Sequence, residues 1–322
     1  MCGIMTLNLK VKIGKLELNN PVMVASGTFG YAQEFKDFID LKKLGAIVTK
    51  TITLAARKGN PPPRTCETPA GMLNSIGLEN PGVGGFIAEK LPFLKKLGVP
   101  LVVSIASEGR AEEFIILARR LDKIKEVSAL ELNISCPNIK NARRAMPACR
   151  QAGHDARLIS QDAQATYELV KAVRKVTRKT LITKLSPNVT DITEIAQAAE
   201  RGGSDAVSLV NTLTGMSIDV RTRKPKIASV TGGLSGPAIR PVAVRMAWDV
   251  YQKIKIPIIG MGGIMDAQSA LEFIIAGASA IATGTVNFVD PGAAVEIISG
   301  LKEYLYKHKI SGIKELTGSL RV

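Results

Sequence analysis

The sequence has no run of apolar residues long enough to cross a membrane. None of its hydrophobic stretches approaches the roughly 20 residues that a bilayer span requires. Residues 1–12 also lack an apolar run followed by a small-residue cleavage site, so they do not resemble a secretory signal. We therefore expect a cytoplasmic protein with no membrane segment.

Residues that bind metals are scarce. The 322 residues include two histidines and four cysteines, and no two cysteines have the C-x₂-C spacing of a zinc or iron–sulfur site. The G-x-G-x-x-G fingerprint of a dinucleotide-binding domain is also missing. We expect no metal, no iron–sulfur cluster and no NAD site in this chain.

Acidic residues are outnumbered, with 28 Asp and Glu against 43 Lys and Arg, for a net charge of +15. This balance suits a basic solvated surface, an acidic partner, RNA or an anionic small molecule. Basic residues cluster at 140–144 and 221–226, and neither cluster is interleaved with aromatics, which are only 4% of the chain. Because single-stranded nucleic acid is held by stacking on aromatic rings, we do not expect nucleic-acid binding.

Short apolar, β-branched runs alternate with amphipathic stretches, which is typical of parallel βα units. The predicted strands are residues 21–26, 45–50, 100–105, 129–134, 180–185, 205–210, 256–260 and 279–283. The predicted helices are residues 33–44, 85–97, 111–125, 161–177, 191–201, 238–254, 267–276 and 293–307. Residues 7–18 are predicted to form a hairpin around Gly14. The pattern favours an α/β fold: one (β/α)₈ TIM barrel over residues 1–322, with an N-terminal β-hairpin and long βα loops.

The ends of the predicted strands carry amides, hydroxyls, two lysines and glycines, with no histidine and no paired carboxylates. In a TIM barrel the reactive groups gather at these ends. Glycines follow strand seven at Gly262 and Gly263, and strand eight at Gly284. Glycines in these two loops let backbone amides approach a phosphate, so we expect a phosphate-bearing ligand there.

Cys136 follows strand four directly and precedes Pro137, which cannot continue a strand. This position would present the thiol at the ligand-binding end of the barrel. A buried, inert thiol is the ordinary alternative. Because no histidine lies beside Cys136 to form a hydrolase-type dyad, we interpret it as a group that transfers a proton.

Six motifs, in order along the chain, carry a resemblance to a known family. They are Lys50-Thr51-x-Thr53, the block from Glu67 to Gly82, Asn133-x-Ser135-Cys136-Pro137-Asn138, Lys184-Leu185-Ser186-Pro187-Asn188, Thr231-Gly232-Gly233-Leu234-Ser235-Gly236-Pro237 and Gly260-Met261-Gly262-Gly263. From about residue 7 to residue 307 the sequence resembles the class 1 dihydroorotate dehydrogenases, which are FMN-dependent oxidoreductases of pyrimidine biosynthesis. Residues 67–82 are most similar to the NAD-linked class 1B catalytic subunit.

The resemblance implies a role for individual residues. The implied FMN contacts are Ser26, Lys50, Thr51, Asn133, Lys184, Val210, Gly236, Gly262, Gly263, Gly284 and Thr285, the last four around the phosphate. The implied contacts to dihydroorotate are Lys50, Asn74, Ser75, Ile76, Gly77, Leu78, Asn133, Asn211 and Thr212. Cys136 would remove the C5 proton while hydride passes from C6 to flavin N5.

The resemblance also implies a partner. A class 1B catalytic subunit passes electrons to NAD through a second subunit that carries FAD and an iron–sulfur cluster, as the homodimeric core of a heterotetramer. The basic surface of this chain could dock such a subunit.

Two segments depart from the family pattern. Ala55-Ala56 stands before Arg57, where the family has Glu-Pro before its arginine. Residues 139–160 are longer and more basic than the family's segment, which has a Gly-Gly pair and a Phe-Gly. Because loops in this place often act as lids, we expect the lid to be altered, which bears on the choice of substrate.

Three alternatives stay open at this point. A dihydropyrimidine dehydrogenase-type enzyme would have a similar site. A tRNA dihydrouridine synthase would suit the positive charge, but that family carries a glycine before its Cys-Pro and an additional C-terminal domain. A non-catalytic phosphate-binding barrel would explain the glycines and leave Cys136 and the asparagines without a role.

Overall fold

The fold centres on eight parallel strands that close into a barrel, seen in a computed structural model that describes residues 7–107, 110–135 and 159–322. We number the barrel strands in chain order, and their bounds are β1 Val22–Val24, β2 Ala46–Val48, β3 Leu101–Ile105, β4 Ala129–Asn133, β5 Thr180–Lys184, β6 Ala206–Leu209, β7 Ile258–Gly260 and β8 Ala280–Thr283. Each strand pairs with the next, and β8 pairs with β1. The predicted (β/α)₈ TIM barrel is therefore confirmed.

The eight predicted strands all form, each one to three residues shorter than expected. Every residue of these strands is buried. This is why they read as continuous apolar runs: a strand between the barrel interior and an outer helix has no solvent face.

Helices surround the barrel. The principal ones are Ala111–Asp122, Ala163–Arg174, Ile192–Gly202, Arg240–Tyr251, Ala267–Ile275 and Ala293–Lys307. Residues 82–94, which contain Pro92, are helical as Gly82–Gly85, a π-helical turn Phe86–Lys90 and Leu91–Leu94. A further short helix, Val286–Val289, was not predicted. None of the helices in the described ranges is long and apolar enough to span a bilayer.

The helix predicted over residues 33–44 is wrong. Two single 3₁₀ turns stand there, Gln33–Phe35 and Leu41–Lys43. The Asp40 side chain accepts a hydrogen bond from the Lys42 amide at 3.1 Å and so begins a new turn. Phe35 stacks on Phe29 with ring centroids 3.9 Å apart, which fixes the first turn against the core. Packing and a local cap therefore override the helical spacing.

The N-terminal hairpin is confirmed as Val11–Ile13 paired with Leu16–Leu18. Gly14 lies in its turn at φ +58, and a Cβ there would meet Asp205 at 2.7 Å. The Lys15 amide donates to the Thr180 hydroxyl at 3.1 Å. Thr180 begins β5 and Asp205 precedes β6, so the hairpin covers the amino end of the barrel.

A four-stranded antiparallel sheet at the opposite end was not predicted. Its strands, Thr65–Thr68, Gly71–Asn74, Leu213–Met216 and Thr231–Ser235, come from the loops after β2 and β6. We call it the rim sheet. Ile218–Asp219 and Lys224–Pro225 form a small hairpin beyond it. Three of the four strands of the rim sheet contain glycine, which has low β propensity, and pairing between two loops remote in sequence leaves no local pattern. The prediction of long βα loops is confirmed.

A glycine at the end of β7 lets a helix pack closely on the barrel, and this gives the first testable prediction. A Cβ at Gly260 would meet the Phe273 ring at 2.6 Å, whereas a Cβ at the exposed helical Gly84 would meet nothing within 4 Å. We expect Gly260→Ala to lower the free energy of unfolding by about 1–3 kcal/mol through overpacking. Gly84→Ala should be neutral or stabilise by about 0.5–1 kcal/mol. Urea unfolding measures both, and equal effects would contradict the packing argument.

Candidate active site at the carboxyl end of the barrel

A chain of hydrogen-bonded side chains crosses the carboxyl end of the barrel. The Thr51 and Ser104 hydroxyls are 2.9 Å apart, and Asn133 Nδ2 donates to Thr51 Oγ1 at 3.0 Å. Ser135 Oγ donates to Asn133 Oδ1 at 3.2 Å, and Asn211 Nδ2 donates to Ser135 Oγ at 2.8 Å. The loops after β2, β4 and β6 are thereby joined to β3. Because four of the five side chains are buried, these bonds hold the two asparagines in one orientation.

Two lysines stand at the same end. Lys184 ends β5 and is buried, and its Nζ is 3.4 Å from the hydroxyl of the buried Ser26 after β1. Lys50 follows β2 and is half-buried, with its backbone amide bonded to Gly30 O at 2.7 Å. Val210, after β6, is buried and bonds to Met261 O at 2.8 Å through its amide. The two lysines thus place positive charge at the carboxyl end of the barrel, which we call the rim.

The glycine loops after β6, β7 and β8 converge. A Cβ at Gly263 would meet Gly236 O at 2.8 Å, and Thr285 Oγ1 donates to Ser235 Oγ at 2.8 Å. Gly236, Gly262 and Gly263 have φ values of +98, +127 and +75, which glycine adopts without strain. A Cβ at Gly284 would meet nothing within 4 Å, so the backbone there borders open space. The structure thus brings together the residues predicted to surround a phosphate.

A capped helix anchors the loop after β7. Asp266 Oδ1 accepts from the Ser269 amide at 2.7 Å, and Ser269 Oγ accepts from the Asp266 amide at 3.0 Å. The hydrogen bond from the Ser269 amide is the main reason that the pKa of Asp266 lies below its ordinary value. The capping box fixes where the helix Ala267–Ile275 begins and therefore where Gly262 and Gly263 stand.

The predicted substrate residues Asn74 and Thr212 meet through the rim sheet. Asn74 Nδ2 donates to Gly233 O at 3.2 Å. A Cβ at Gly233 would meet Thr212 Oγ1 at 2.0 Å, so the Thr212 side chain lies against the Gly233 backbone. The Thr212 amide bonds in turn to Asn211 Oδ1 at 2.8 Å. The strand Thr231–Ser235 is therefore the link between the two halves of the predicted substrate site.

The predicted substrate segment from Ser75 to Leu78, which includes Ile76, follows directly. Ser75 is buried, and its hydroxyl accepts from Asn60 Nδ2 at 2.8 Å. Gly77 and Leu78 both have positive φ, +75 and +58. Asn80 Oδ1 accepts from the Thr53 amide at 3.1 Å and from the Gly82 amide at 2.8 Å, while its Nδ2 donates to Leu78 O at 2.7 Å. The segment is thereby tied to Thr53, near the start of the same long loop.

Three asparagines that were not predicted as site residues support the site. Asn60 and Asn80 hold the substrate segment. Asn188 Oδ1 accepts from the Thr214 amide at 2.8 Å, and its Nδ2 donates to Thr212 O at 3.0 Å, which joins the loop after β5 to the rim sheet. Asn80 and Asn188 lie inside family motifs, which was the available signal. Asn60 lies in a proline-rich loop with no such signal.

Cys136 lies outside the described residues, as do Asn138 and most of the atypical segment 139–160. Ser135, the residue before Cys136, is described and belongs to the hydrogen-bonded chain. In the described ranges, no three His, Cys, Asp or Glu side chains are grouped so that they could hold a metal ion.

Thr51 is the junction of the polar chain, which gives the second prediction. Replacing it by the isosteric valine removes the hydroxyl that faces both Ser104 and Asn133. Because these buried groups would lose a partner, we expect Thr51→Val to lower the free energy of unfolding by about 1–3 kcal/mol. Thr51→Ser keeps the hydroxyl and should retain most of the stability. Urea unfolding of both variants tests this, and equal losses would mean that the lost methyl packing matters instead.

Comparison with known proteins agrees with this geometry. A family model described as dihydroorotate dehydrogenase matches residues 8–305. The chain is 52% identical over 315 residues to a Geotalea daltonii protein named "Dihydroorotate dehydrogenase B (NAD(+)), catalytic subunit", covering 98% of this chain and 99% of the relative. Proteins of the same name from Desulforamulus reducens and Thermoanaerobacter pseudethanolicus are 53% and 49% identical, over 98% of this chain and 99% and 100% of theirs. The chain belongs to the dihydroorotate dehydrogenase family.

Proposed function

We propose that this chain oxidises dihydroorotate to orotate with bound FMN, as the catalytic subunit of an NAD-linked enzyme of pyrimidine biosynthesis. The observation that carries the proposal is the shared rim: the converging glycine loops and the chain of amides and hydroxyls lie at the same end of one barrel. Family membership supports the same function, because the names of the relatives state dihydroorotate as the substrate and NAD as the acceptor.

The described residues fit FMN. Its phosphate would lie against Gly262, Gly263, Gly284 and Thr285. At Gly284 no atom lies within 4 Å of where a Cβ would stand, so a phosphate could approach the backbone amides there. Gly236, Ser26 and Val210 would border the flavin. Lys50, Thr51, Asn133 and Lys184 supply donors and positive charge for its polar edge. FMN would supply the two-electron acceptor for the hydride that leaves C6 of the substrate.

The amide-rich ring of dihydroorotate matches the other residues of the rim. Asn74, Asn133 and Asn211 each present a donor and an acceptor, and Ser75, Ile76, Gly77, Leu78 and Thr212 add backbone and hydroxyl groups. Lys50 can offset the substrate carboxylate. Hydrogen bonds within the protein already hold the side chains of Asn74, Asn133 and Asn211, so little reorganisation of these amides is required when the substrate binds.

We assign the removal of the C5 proton to Cys136. The adjacent carbonyl acidifies this proton, and a thiolate positioned above C5 can accept it as a general base. Ser135, the residue before Cys136 in sequence, is held between Asn133 and Asn211 by hydrogen bonds. The single-domain organisation, the cytoplasmic location and the effect of segment 139–160 on lid closure stay predictions.

Electrons then leave through a partner. The names of the relatives describe a catalytic subunit, which implies at least one other subunit in those enzymes. We assign FAD and an iron–sulfur cluster to that subunit, as the resemblance to the class 1B catalytic subunits implies. The assembly would be a heterotetramer around a homodimer of this chain.

The third prediction concerns substrate choice. Anaerobic addition of dihydroorotate to the yellow protein should bleach the flavin absorbance near its visible maximum, whereas dihydrouracil should not. Bleaching by dihydrouracil alone would replace this proposal with a dihydropyrimidine dehydrogenase-type activity. A protein that stays colourless after reconstitution with FMN would contradict both.

The fourth prediction concerns the base. Cys136→Ala should bind FMN normally and slow anaerobic bleaching by about 100-fold or more, the usual loss for a general base. Cys66→Ala is the matched control, because Cys66 is a free, half-buried thiol in the outer strand of the rim sheet. Stopped-flow absorbance measures both rates. Bleaching at the wild-type rate in Cys136→Ala would remove Cys136 from the mechanism.

A further inference from the structure

The eight barrel strands contain two charged residues, Glu131 in β4 and Lys184 in β5. Their strands are neighbours. The register pairs Glu131 with Ile182 and Asn133 with Lys184, and it pairs Lys184 with Ser208 of β6. Residues paired in register point to the same side of a sheet, and residues two apart in a strand do so as well. Glu131, Asn133, Lys184 and Ser208 therefore share one face.

That face is the barrel interior. Ser208 pairs with Ile259 of β7, and the next residue, Gly260, faces outward against Phe273 of the surrounding helix. Ser208 Oγ donates to Glu131 Oε2 at 3.0 Å, a bond that reaches from β6 to β4 past β5. Glu131 thus lies inside the barrel, one layer below Lys184.

Each of the two groups has few hydrogen bonds for a buried charge. Glu131 is 2% exposed, and its Oε1 is buried with no hydrogen-bond partner. Lys184 is 5% exposed, and its hydrogen bond to Ser26 is long at 3.4 Å. Around them the interior face carries the apolar side chains of Ile182, Ile259 and Ala282 and three uncharged polar ones, Ser104, Asn133 and Ser208. Because an isolated charge in such surroundings is costly, each group requires compensation.

We propose that Glu131 is the counter-charge of Lys184. The two are not in direct contact, since the ion pairs in the described ranges join other residues. Across a buried interior, however, opposite charges attract more strongly than in water, and salt screens them little. The Glu131 carboxylate would hold the Lys184 ammonium at the rim and offset part of its positive charge there. Glu131 is a positioning residue in this scheme, because it acts through Lys184.

The consequence is a control on the flavin's reduction potential. This step rests on the proposed function, because it takes FMN to be the group above Lys184. Reduction adds negative charge to the flavin, and an uncompensated Lys184 would favour that charge more than a compensated one. Neutralising Glu131 should therefore make the bound FMN easier to reduce.

The test is an anaerobic titration of the FMN-loaded protein against a reference dye, which requires no substrate. Glu131→Gln keeps the size of the side chain and removes its charge. We expect the reduction potential of its FMN to become more positive. The equilibrium constant for two-electron reduction should rise by about threefold to tenfold. Glu131→Asp keeps the charge and should stay close to the wild type. Ser208→Ala removes the hydrogen bond and keeps the carboxylate, so it should also stay close to the wild type.

Each result supports the inference or overturns it. An unchanged potential in Glu131→Gln overturns it, as does an equal shift in Ser208→Ala, which would mean that interior packing sets the potential. If Glu131→Gln is recovered without FMN, retention of FMN at the wild-type potential by Glu131→Asp supports a role for the charge. Loss of FMN from both variants overturns it in favour of a structural role. A wild-type protein that binds FMN but is not bleached by dihydroorotate contradicts the proposed substrate and leaves this inference standing.

Discussion

The closure of eight parallel strands into a barrel is the constraint on which the rest of the structure depends. Closure requires β8 to pair with β1, so no strand edge is left open and every strand is buried on both sides. It also brings all eight carboxyl ends to one rim. Side chains 158 positions apart in sequence, those of Ser26 and Lys184, become neighbours there without any local interaction to guide them. The chemistry of the site is therefore a consequence of how the strands end.

Polar groups gathered in this way must satisfy one another. A buried amide without a partner costs more than a typical hydrogen bond contributes, so the rim is stable only as a connected set. The chain from Ser104 to Asn211 meets this requirement with side chains from β3 and from the loops after β2, β4 and β6. The same bonds that stabilise the rim fix the directions of its amides. Stability and preorganisation for a planar, amide-rich ligand thus come from the same contacts.

The sequence was sufficient to predict the barrel but not the sheet above it. All eight strands were found because burial on both faces leaves a local signal, a short β-branched run between helical segments. The rim sheet gave no comparable signal, since Gly71–Asn74 and Thr231–Ser235 contain glycine and pair with each other between loops remote in sequence. The helix predicted over residues 33–44 was wrong for a related reason. The stacking of Phe29 on Phe35 is a tertiary contact, and the spacing of apolar residues along the sequence does not reveal it.

The residues of the site also divide into those that could be predicted from the sequence and those that could not. The glycines after β7 and β8, and the amides at strand ends, were predictable because their place in the barrel follows from the strand count. Asn60, Asn80 and Asn188 were not, because their role is to bond loops whose course depends on the whole fold. Glu131 is a third kind of residue: it was not singled out in the sequence, and only the strand register shows that it faces the barrel interior. An interior carboxylate opposes the apolar core that closes the barrel, so its presence is best explained by the charge one layer above it. The barrel is therefore more than a support for the rim, since its interior carries charge that the chemistry at the rim can use.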